Sequence, residues 1–270
     1  MNVYEEVCAF YESYRGEKRS IGKSAEGREI FAFFIGTHDG PQIVSQYAIH
    51  AREWITGLIA LYHVRRGLVR GGAWVIPLSN PDGAQLSEIG IGSVSDNRRA
   101  ELVELNGGTD FCLWKANANA VDLNVNFDAR WGTGAENLTR KASANYIGPY
   151  PFSEPETKAL RDFTLEVKPS ATVSWHSKGE EIYWEFHQPL RAKRRDKKLA
   201  GTLARSTGYP LVKVKKSAGG YKDWCIECLG IPAFTVEVGS DTLTHPIGRN
   251  ALPALVGHTL DALVDLTNAL

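Results

Sequence analysis

Short apolar runs alternate with longer segments of helical periodicity along this chain. The apolar character of residues 42–49 predicts a buried strand that ends at His50. Residues 55–69 place apolar side chains at helical spacing and carry arginines at the end, as suits the negative end of a helix dipole. Residues 73–78 predict the next strand, and the sequence Asn-Pro-Asp-Gly at 80–83 predicts a turn.

The second half of the chain repeats this alternation. Ser153 and Glu156 have the spacing of a capping box, which predicts a helix from Ser153 to about Lys168. Residues 171–175 predict a strand that ends at His176, and residues 233–236 predict one that ends at Glu237. Residues 251–270 have the pattern of an amphipathic helix.

Strands that alternate with helices indicate an α/β sandwich with a largely parallel sheet. Glycine and proline are spread evenly and no linker-like stretch interrupts the chain, so we expect residues 1–270 to form a single domain. Ligands of such sheets bind beyond the carboxyl ends of the strands. His50, His176 and Glu237 all lie at predicted strand ends, which makes them the first candidates for a functional site.

Composition narrows the choice of partners. The 270 residues contain 31 Lys+Arg and 31 Asp+Glu, so the formal net charge is zero. Nucleic-acid and membrane-surface proteins usually carry a basic excess, so we expect neither partner. The apolar runs are too short for a membrane span. Because the first residues do not resemble a signal peptide, we expect a cytoplasmic protein, or an extracytoplasmic one if a leader has been removed.

The four cysteines do not predict a disulfide scaffold. Cys225 and Cys228 form a lone C-x-x-C, whereas a structural zinc site normally has a second pair nearby. We therefore expect two buried thiols rather than a structural zinc site.

The sequence His50-Ala-Arg-Glu53 carries two metal-binding side chains three residues apart. At a strand-to-helix turn both can point at one ion, and a catalytic zinc takes three protein ligands and a water. His176 is the natural third ligand. Taken alone, the same pair also fits an ordinary helix N-terminus with Glu53 on the helix dipole.

Neighbouring motifs strengthen the metal interpretation. His-Ala-Arg-Glu-Trp-Ile-Thr-Gly at 50–57, Asn-Pro-Asp-Gly at 80–83, Val-Asp-Leu-Asn at 121–124, Ser-Glu-Pro-Glu-Thr at 153–157, His-Ser at 176–177 and Phe-Thr-Val-Glu-Val-Gly at 234–239 occur in this order. Together they resemble the zinc metallocarboxypeptidases, the carboxypeptidase A-like family, from about residue 20 to the C-terminus. The resemblance implies a three-layer α/β/α sandwich with a mixed, largely parallel sheet of about eight strands.

The resemblance also implies roles for individual residues. One Zn²⁺ per chain would be held by His50, Glu53 and His176, and Asp122 would hold the ring N–H of His50. Glu237 would act as the general base for a zinc-activated water.

Two further basic residues have family counterparts. Lys115 stands where the family has an arginine that stabilises the oxyanion, and Arg52 matches an arginine of the outer substrate subsites.

The sequence departs from the family at the residues that hold the substrate. The family pattern Asp-x-Asn-Arg-Asn clamps a terminal carboxylate through its Asn and Arg, but here Asn124 is followed by Val125. Arg130 is the obvious substitute, with a solvated surface arginine as the alternative. Lys215 occupies the position of a substrate-binding tyrosine, for which Tyr221 is a candidate replacement.

Lys222 stands at the position that, by the resemblance to this family, sets the base of the pocket for the leaving residue. A lysine there favours a side chain with a carboxylate, unless it is a solvated surface lysine. The segments around His176 and Lys222 resemble the bacterial branch that cleaves γ-D-glutamyl–diaminopimelate bonds of cell-wall peptides, which also lacks the clamp arginine.

These observations predict a zinc-dependent metallopeptidase acting on peptidoglycan-derived peptides, with a muropeptide as substrate. Two alternatives stay open: an ordinary metallocarboxypeptidase for acidic C-terminal residues, and a non-catalytic zinc- or peptide-binding module.

Overall fold

The computed structural model describes residues 1–68, 70–213 and 216–270, and a sheet of eight strands runs through its centre. In chain order the strands are β1 (Lys18–Lys23), β2 (Glu29–Gly36), β3 (Gln42–Tyr47), β4 (Gly72–Ile76), β5 (Ala171–His176), β6 (Glu181–Tyr183), β7 (Leu211–Val212) and β8 (Ala233–Glu237). Across the sheet their order is β1-β2-β4-β3-β5-β8-β6-β7. The predicted α/β class with about eight strands is confirmed.

The middle of the sheet is parallel and its flanks are mixed. β4, β3, β5 and β8 run in one direction, with Ser45 opposite Val173 and Val173 opposite Phe234. β2 is antiparallel to both β1 and β4, and β6 is antiparallel to β8. Because parallel strands end at the same edge, the segments that follow β3, β5 and β8 meet there.

Helices cover both faces of this sheet. They are α1 (Val3–Ser13), α2 (Ile55–Arg66), α3 (Pro81–Ile89), α4 (Asp96–Asn106), α5 (Pro155–Val167), α6 (Leu190–Thr207), α7 (Tyr221–Glu227), α8 (Leu252–Thr259) and α9 (Ala262–Ala269). One apolar core joins the sheet to α1, α2, α6, α8 and α9, and a second joins it to α5 and α7. This arrangement is the expected three-layer sandwich.

Alternating side chains of the strands feed the two cores. In β2, Phe33 and Ile35 face one core while Ala32 and Phe34 face the other. The side-chain period of two in a strand therefore lets one largely apolar strand stabilise both layers. Among the described residues, no helix is long and apolar enough to cross a membrane.

The predicted turn at 80–83 is wrong, because this segment begins helix α3. The Asn80 side chain accepts the backbone N–H of Gly83 at 2.9 Å, and Pro81 is the first helical residue. Asn followed by Pro signals a helix start as well as a turn, since Asn caps well and Pro at the first position loses no helical hydrogen bond.

The predicted capping box at Ser153 is also wrong. Helix α5 begins at Pro155 with Glu154 at the N-cap, and no side chain caps it. The Ser153 hydroxyl instead donates to Glu154 Oε1 at 2.7 Å.

Two other helix ends differ from expectation. Helix α2 ends at Arg66, because Gly67 adopts a positive φ of 65°. The predicted end of this helix, Val69, lies outside the described residues. The C-terminal helix is broken between α8 and α9, where the Thr259 carbonyl accepts a hydrogen bond from His63 Nε2 at 2.9 Å.

Three carboxylates, those of Asp82, Glu154 and Glu156, are buried beside the loop that leads to the sheet edge. Asn117 Nδ2 donates to Glu154 Oε2 at 2.8 Å and to Glu156 Oε2 at 3.1 Å, and the Ala25 N–H donates to Glu156 Oε1 at 3.0 Å. Burial, reinforced by the charge of Asp82, raises the pKa of Glu156 to about 8. The folded protein therefore keeps Glu156 largely protonated at neutral pH.

The substitution Glu156→Gln is expected to flatten the pH dependence of stability. The folded carboxyl keeps its proton up to about pH 8, whereas the unfolded one loses it near its ordinary value of 4.5. Between these values the folded state binds more protons, so the free energy of unfolding falls as pH rises, by up to about 1.4 kcal/mol per pH unit. Glutamine does not titrate and removes this contribution.

Urea unfolding of the wild type and the Glu156→Gln variant across this window measures the effect. The exposed carboxylate of Glu166 on the same helix supplies the control, since Glu166→Gln should leave the wild-type slope unchanged. Parallel stability curves for the wild type and Glu156→Gln would contradict the assignment.

Candidate active site

Polar side chains converge where three parallel strands end. His50 follows β3, while His176 is the last residue of β5 and Glu237 the last of β8. His176 and Glu237 are direct neighbours in the register of the two strands. A 3₁₀ turn at Ala51–Glu53 brings the Glu53 side chain back towards His50. The three strand ends identified in the sequence are therefore neighbours in space.

His50, Glu53 and His176 form one buried cluster. His50 Nδ1 lies 2.8 Å from Glu53 Oε1, and His176 Nδ1 lies 3.0 Å from Glu53 Oε2. The two Nδ1 atoms are 3.1 Å apart. One ligand atom from each residue lies within 4.8 Å of the others, which is the arrangement that a single metal ion requires.

The charges in this cluster favour an ionised Glu53 carboxylate beside the imidazoles of His50 and His176. Burial opposes ionisation of Glu53, but the two imidazoles hold the pKa of its carboxyl well below its usual range. Burial likewise disfavours a charged His50, yet Glu53 and then Asp122 raise the pKa of its imidazole overall. A bound cation would compensate the negative charge of the Glu53 carboxylate, which the imidazoles of His50 and His176 compensate here.

Asp122 lies behind His50 and joins it to Lys115. Its Oδ1 is 3.5 Å from His50 Nε2, and its Oδ2 is 3.0 Å from Lys115 Nζ. The backbone N–H groups of Asn124 and Asn145 donate to the two carboxylate oxygens, each at 3.1 Å. Although Asp122 is fully buried, Lys115 and His50 hold its pKa below the usual range. The side chain thus has the position expected of a residue that orients His50.

Glu237 stands beside the metal-binding cluster. Burial raises the pKa of its carboxyl to about 8, the charge of Glu53 adds to this effect, and His176 and Lys115 oppose it. Glu181, opposite Glu237 on β6, contributes a further small increase. A zinc ion bound at the neighbouring cluster would lower this pKa, because its positive charge favours the ionised carboxylate, so that Glu237 could then act as a proton acceptor.

Two adjoining cavities open onto this cluster. The inner cavity has a volume of about 180 Å³ and is lined by His50, Asn124, His176, Tyr183, Ser217, Gly220, Lys222, Asp223, Thr235 and Glu237. The outer cavity has a volume of about 450 Å³ and is lined by His50, Lys115, Asn124, Val125, Gly134, Ala135, Glu136, Asn137, Asn145, Lys216, Ser217 and Ala218. His50, Asn124 and Ser217 belong to both, so the cavities form one continuous cleft.

Comparison with known proteins agrees with this architecture. Residues 9–248 match the family model described as zinc carboxypeptidase. The chain belongs to this family. The relatives that match this chain include an endopeptidase and carboxypeptidases.

Individual relatives fall into the same group. The chain is 31% identical to the γ-D-glutamyl-L-diamino acid endopeptidase 1 of Lysinibacillus sphaericus, over 92% of this chain and 66% of that protein. It is 28% identical to carboxypeptidase A2 of Mus musculus, over 87% of this chain and 61% of that protein. It thus spans slightly less than two thirds of either relative.

Among solved structures, bovine thrombin-activatable fibrinolysis inhibitor shares the fold. The TM-score is 0.78, with 22% identity over 99% of this chain and 96% of that one.

The zinc that the zinc carboxypeptidase family implies fits the residues present. Two imidazole Nδ1 atoms and one carboxylate are the donor set of a catalytic zinc site, which keeps a position open for water or substrate. His50, Glu53 and His176 are also the single group of this kind among residues 1–68, 70–213 and 216–270.

Of the predicted substrate-binding residues, Lys222 and Asn124 face the cleft. Lys222 lines the inner cavity, where its Nζ lies 3.1 Å from the Glu185 carbonyl oxygen and 2.5 Å from Asp223 Oδ1. Asn124 lines both cavities, and its Oδ1 accepts the Tyr221 backbone N–H at 3.2 Å. Lys222 is therefore a cavity residue and not a solvated surface lysine.

The structure places Arg130, the candidate substitute for the family's carboxylate-clamp arginine, outside both cavities. Its Nε lies 2.8 Å from Glu227 Oε1, its side chain is half exposed, and it lines neither cavity. The carboxylate at the end of α7 holds the guanidinium on the surface. Val125 itself borders the outer cavity, so the clamp position is apolar.

Tyr221 does not replace the substrate-binding tyrosine of the family. It is fully buried, and its hydroxyl lies 2.8 Å from Thr164 Oγ1 on α5. Its ring packs against Phe127 and Trp224 in the core on that face of the sheet. Lys215, which stands at the family's tyrosine position, lies outside the described residues.

Arg52 and the cysteines have no contact with the substrate cleft in the described structure. Arg52 is half-buried and lines neither cavity, and its Nε has no hydrogen-bond partner among the described residues. Cys225 is buried as expected, but Cys228 is exposed, which corrects the expectation of two buried thiols.

The inner-cavity residues that sequence reasoning missed include Tyr183 and Asp223. The Tyr183 hydroxyl donates to the Glu181 carboxylate, one strand away from Glu237. Asp223 forms an ion pair with Lys222. The signal for Asp223 was present, since it directly follows the residue already placed in the pocket.

Replacing a member of the cluster is expected to abolish zinc binding. The protein should contain about one zinc per chain, and His176→Ala should reduce this to less than about a tenth, because a catalytic site has only three protein ligands. Elemental analysis after dialysis measures the content. His38→Ala, at an exposed histidine paired with Glu17, is the matched control and should retain the metal. Full zinc content in His176→Ala would contradict the ligand assignment.

Proposed function

We propose that this chain is a zinc-dependent peptidase that hydrolyses γ-D-glutamyl–diaminopimelate bonds in peptides derived from peptidoglycan. The observation that carries this proposal is the Lys222 ammonium, which lines the same small cavity as His176 and Glu237. Diaminopimelate carries a second carboxylate at the end of its side chain, which a lysine at the pocket base can bind. The name of the Lysinibacillus relative, a γ-D-glutamyl-L-diamino acid endopeptidase, supports the same substrate class.

The outer cavity supports cleavage of a bond inside a longer peptide. Val125 cannot pair with a terminal carboxylate, and the cavity continues past it to the loop at Gly134 and Asn137. When another residue such as D-alanine follows diaminopimelate, the main-chain carboxyl is an amide and needs no cation. The space beyond Val125 would then receive that following residue.

Glu237 is the proposed general base. A bound zinc ion would act as a Lewis acid that polarises the scissile carbonyl and lowers the pKa of water. Glu237 accepts the proton of the attacking water and later delivers it to the leaving amine. Burial raises the pKa of Glu237, which helps the carboxylate to take up a proton, and the positive charge of a bound zinc ion would keep it ionised before that transfer.

Lys115 is the proposed charge that stabilises the developing oxyanion. It lines the outer cavity next to His50, where positive charge would meet the negative charge that forms on the carbonyl oxygen. Because Asp122 lies 3.0 Å from its Nζ, part of this positive charge is already compensated. Lys115 therefore has a weaker effect than a free arginine fork would have.

An ordinary metallocarboxypeptidase for acidic C-terminal residues is the second candidate. Lys222 would hold the carboxylate of a C-terminal glutamate equally well. The candidate clamp, Arg130, pairs with Glu227 outside the cleft, which favours the first proposal. The complete set of His50, Glu53, His176 and Glu237 weighs against a non-catalytic binding module.

A panel of peptides tests the proposal. We expect zinc-dependent cleavage of a γ-D-glutamyl–diaminopimelyl–D-alanine peptide and much slower release of a C-terminal glutamate from an ordinary peptide. Val125→Arg should shift the preference by about tenfold towards peptides with a free carboxylate next to the scissile bond, since it restores a charge-assisted contact. Val125→Leu is the control for size without charge.

Liquid chromatography of the products, with and without a chelator, gives the rates. Cleavage of the glutamate peptide alone would favour the carboxypeptidase alternative. Cleavage of neither peptide at saturating zinc would refute both enzymatic proposals.

A further inference from the structure

The inner cavity presents two opposite charges side by side. Lys222 Nζ and Asp223 Oδ1 are 2.5 Å apart, and both residues line the cavity that contains His176 and Glu237. Both are largely buried, with 8% and 2% of their surface exposed. A lone lysine would select a carboxylate, whereas this pair offers one site for an anion and one for a cation.

Each member of the pair retains capacity for one more hydrogen bond. A lysine ammonium has three donors, of which Asp223 and the Glu185 carbonyl, at 3.1 Å, take two. Asp223 Oδ2 accepts the Gly220 N–H at 3.3 Å, and Oδ1 accepts from Lys222. Because each carboxylate oxygen can accept two hydrogen bonds, Asp223 can still accept from a ligand.

We propose that Lys222 and Asp223 together bind a zwitterionic amino-acid group at the end of the leaving residue's side chain. The ligand carboxylate contacts Lys222 and the ligand ammonium contacts Asp223. This inference rests on the proposed function, because the side chain of diaminopimelate ends in such a group, with an amine and a carboxylate on one carbon.

The charges explain why both groups are needed. A ligand with a single charge would pair with only one of the two side chains. A ligand carboxylate, for example, would compete with Asp223 for the ammonium of Lys222. A zwitterionic ligand brings one positive and one negative group. The Lys222 ammonium, the Asp223 carboxylate and the two ligand groups then each have a partner of opposite charge. Burying a fully paired set costs less than burying an unpaired charge. The pair should therefore reject lysine, which lacks the carboxylate, and 2-aminopimelate, which lacks the distal amine.

Three γ-D-glutamyl peptides test the inference, with diaminopimelate, lysine or 2-aminopimelate as the leaving residue. For the zinc-loaded wild type, we expect kcat/KM for the diaminopimelate peptide to exceed that for each of the others by about 10- to 100-fold. This range is typical of a site whose buried polar groups would otherwise stay unpaired.

Two variants assign the roles of the pair. Asp223→Asn keeps an acceptor for the Gly220 N–H but loses the charge, so it should remove the preference for diaminopimelate over 2-aminopimelate. Lys222→Met should remove the preference for diaminopimelate over lysine. Lys193→Met is the matched control: Lys193 Nζ lies 3.0 Å from the carboxylate of the same Glu185, but Lys193 lines neither cavity, so both preferences should persist.

The outcomes separate this inference from the proposed function. Equal kcat/KM for the three peptides in the wild type would overturn the zwitterion site while leaving the γ-D-glutamyl peptidase in place. Cleavage of none of them would remove the proposed function and the site with it. Thermal melts check that the variants are folded, and if one is not, the wild-type ratios decide.

Discussion

The carboxylate of Glu53, held between the imidazoles of His50 and His176, is the interaction on which the site depends. A buried carboxylate is costly unless positive charge or hydrogen bonds compensate it. Here both oxygens face a ring nitrogen within 3.0 Å. The ring of His50 follows β3, and the ring of His176 belongs to the last residue of β5. The register of β3 against β5 therefore decides whether the cluster exists, because a slip of one residue would turn His176 to the other face of the sheet.

Charged side chains on two sides of the cluster also depend on it. Behind His50, Asp122 is compensated by Lys115, so that one cation of the cleft also stabilises the residue that orients a metal ligand. On the other side Glu237 keeps its pKa high, because burial and Glu53 outweigh His176 and Lys115. The pKa values of Glu53 and Glu237 are thus shifted in opposite directions, as suits their proposed roles of metal ligand and base. Such a separation is a common property of catalytic sites.

Much of this arrangement was predictable from the sequence. Apolar runs that end at His50, His176 and Glu237 located the edge of the sheet, since strand ends are a local property of the chain. The order of the strands and the partners of long side chains are not local. Its closeness to Val125 in the sequence makes Arg130 a candidate for binding the substrate, with a surface arginine as the alternative, and its pairing with Glu227, 97 positions away, agrees with the alternative.

The burial of Tyr221, in contrast to the position of Arg130, follows from a local rule. Residues three apart share a helix face. Tyr221 and Trp224 do so in α7 and pack in the same core, whereas Lys222 faces the cleft. Asp223 escaped notice because an acidic residue near a helix start is ordinarily explained by capping, which it also provides for α7.

The measurement that tests the account most directly is the zinc content and turnover of Glu237→Gln on the γ-D-glutamyl–diaminopimelyl peptide. Because Glu237 is the proposed base and not a proposed ligand, the variant should retain about one zinc per chain while turnover falls by about 10²- to 10⁴-fold. Glu180→Gln, the same substitution in the loop before β6, should retain both. Near-normal turnover in Glu237→Gln, or loss of zinc together with activity, would contradict the division between ligands and base.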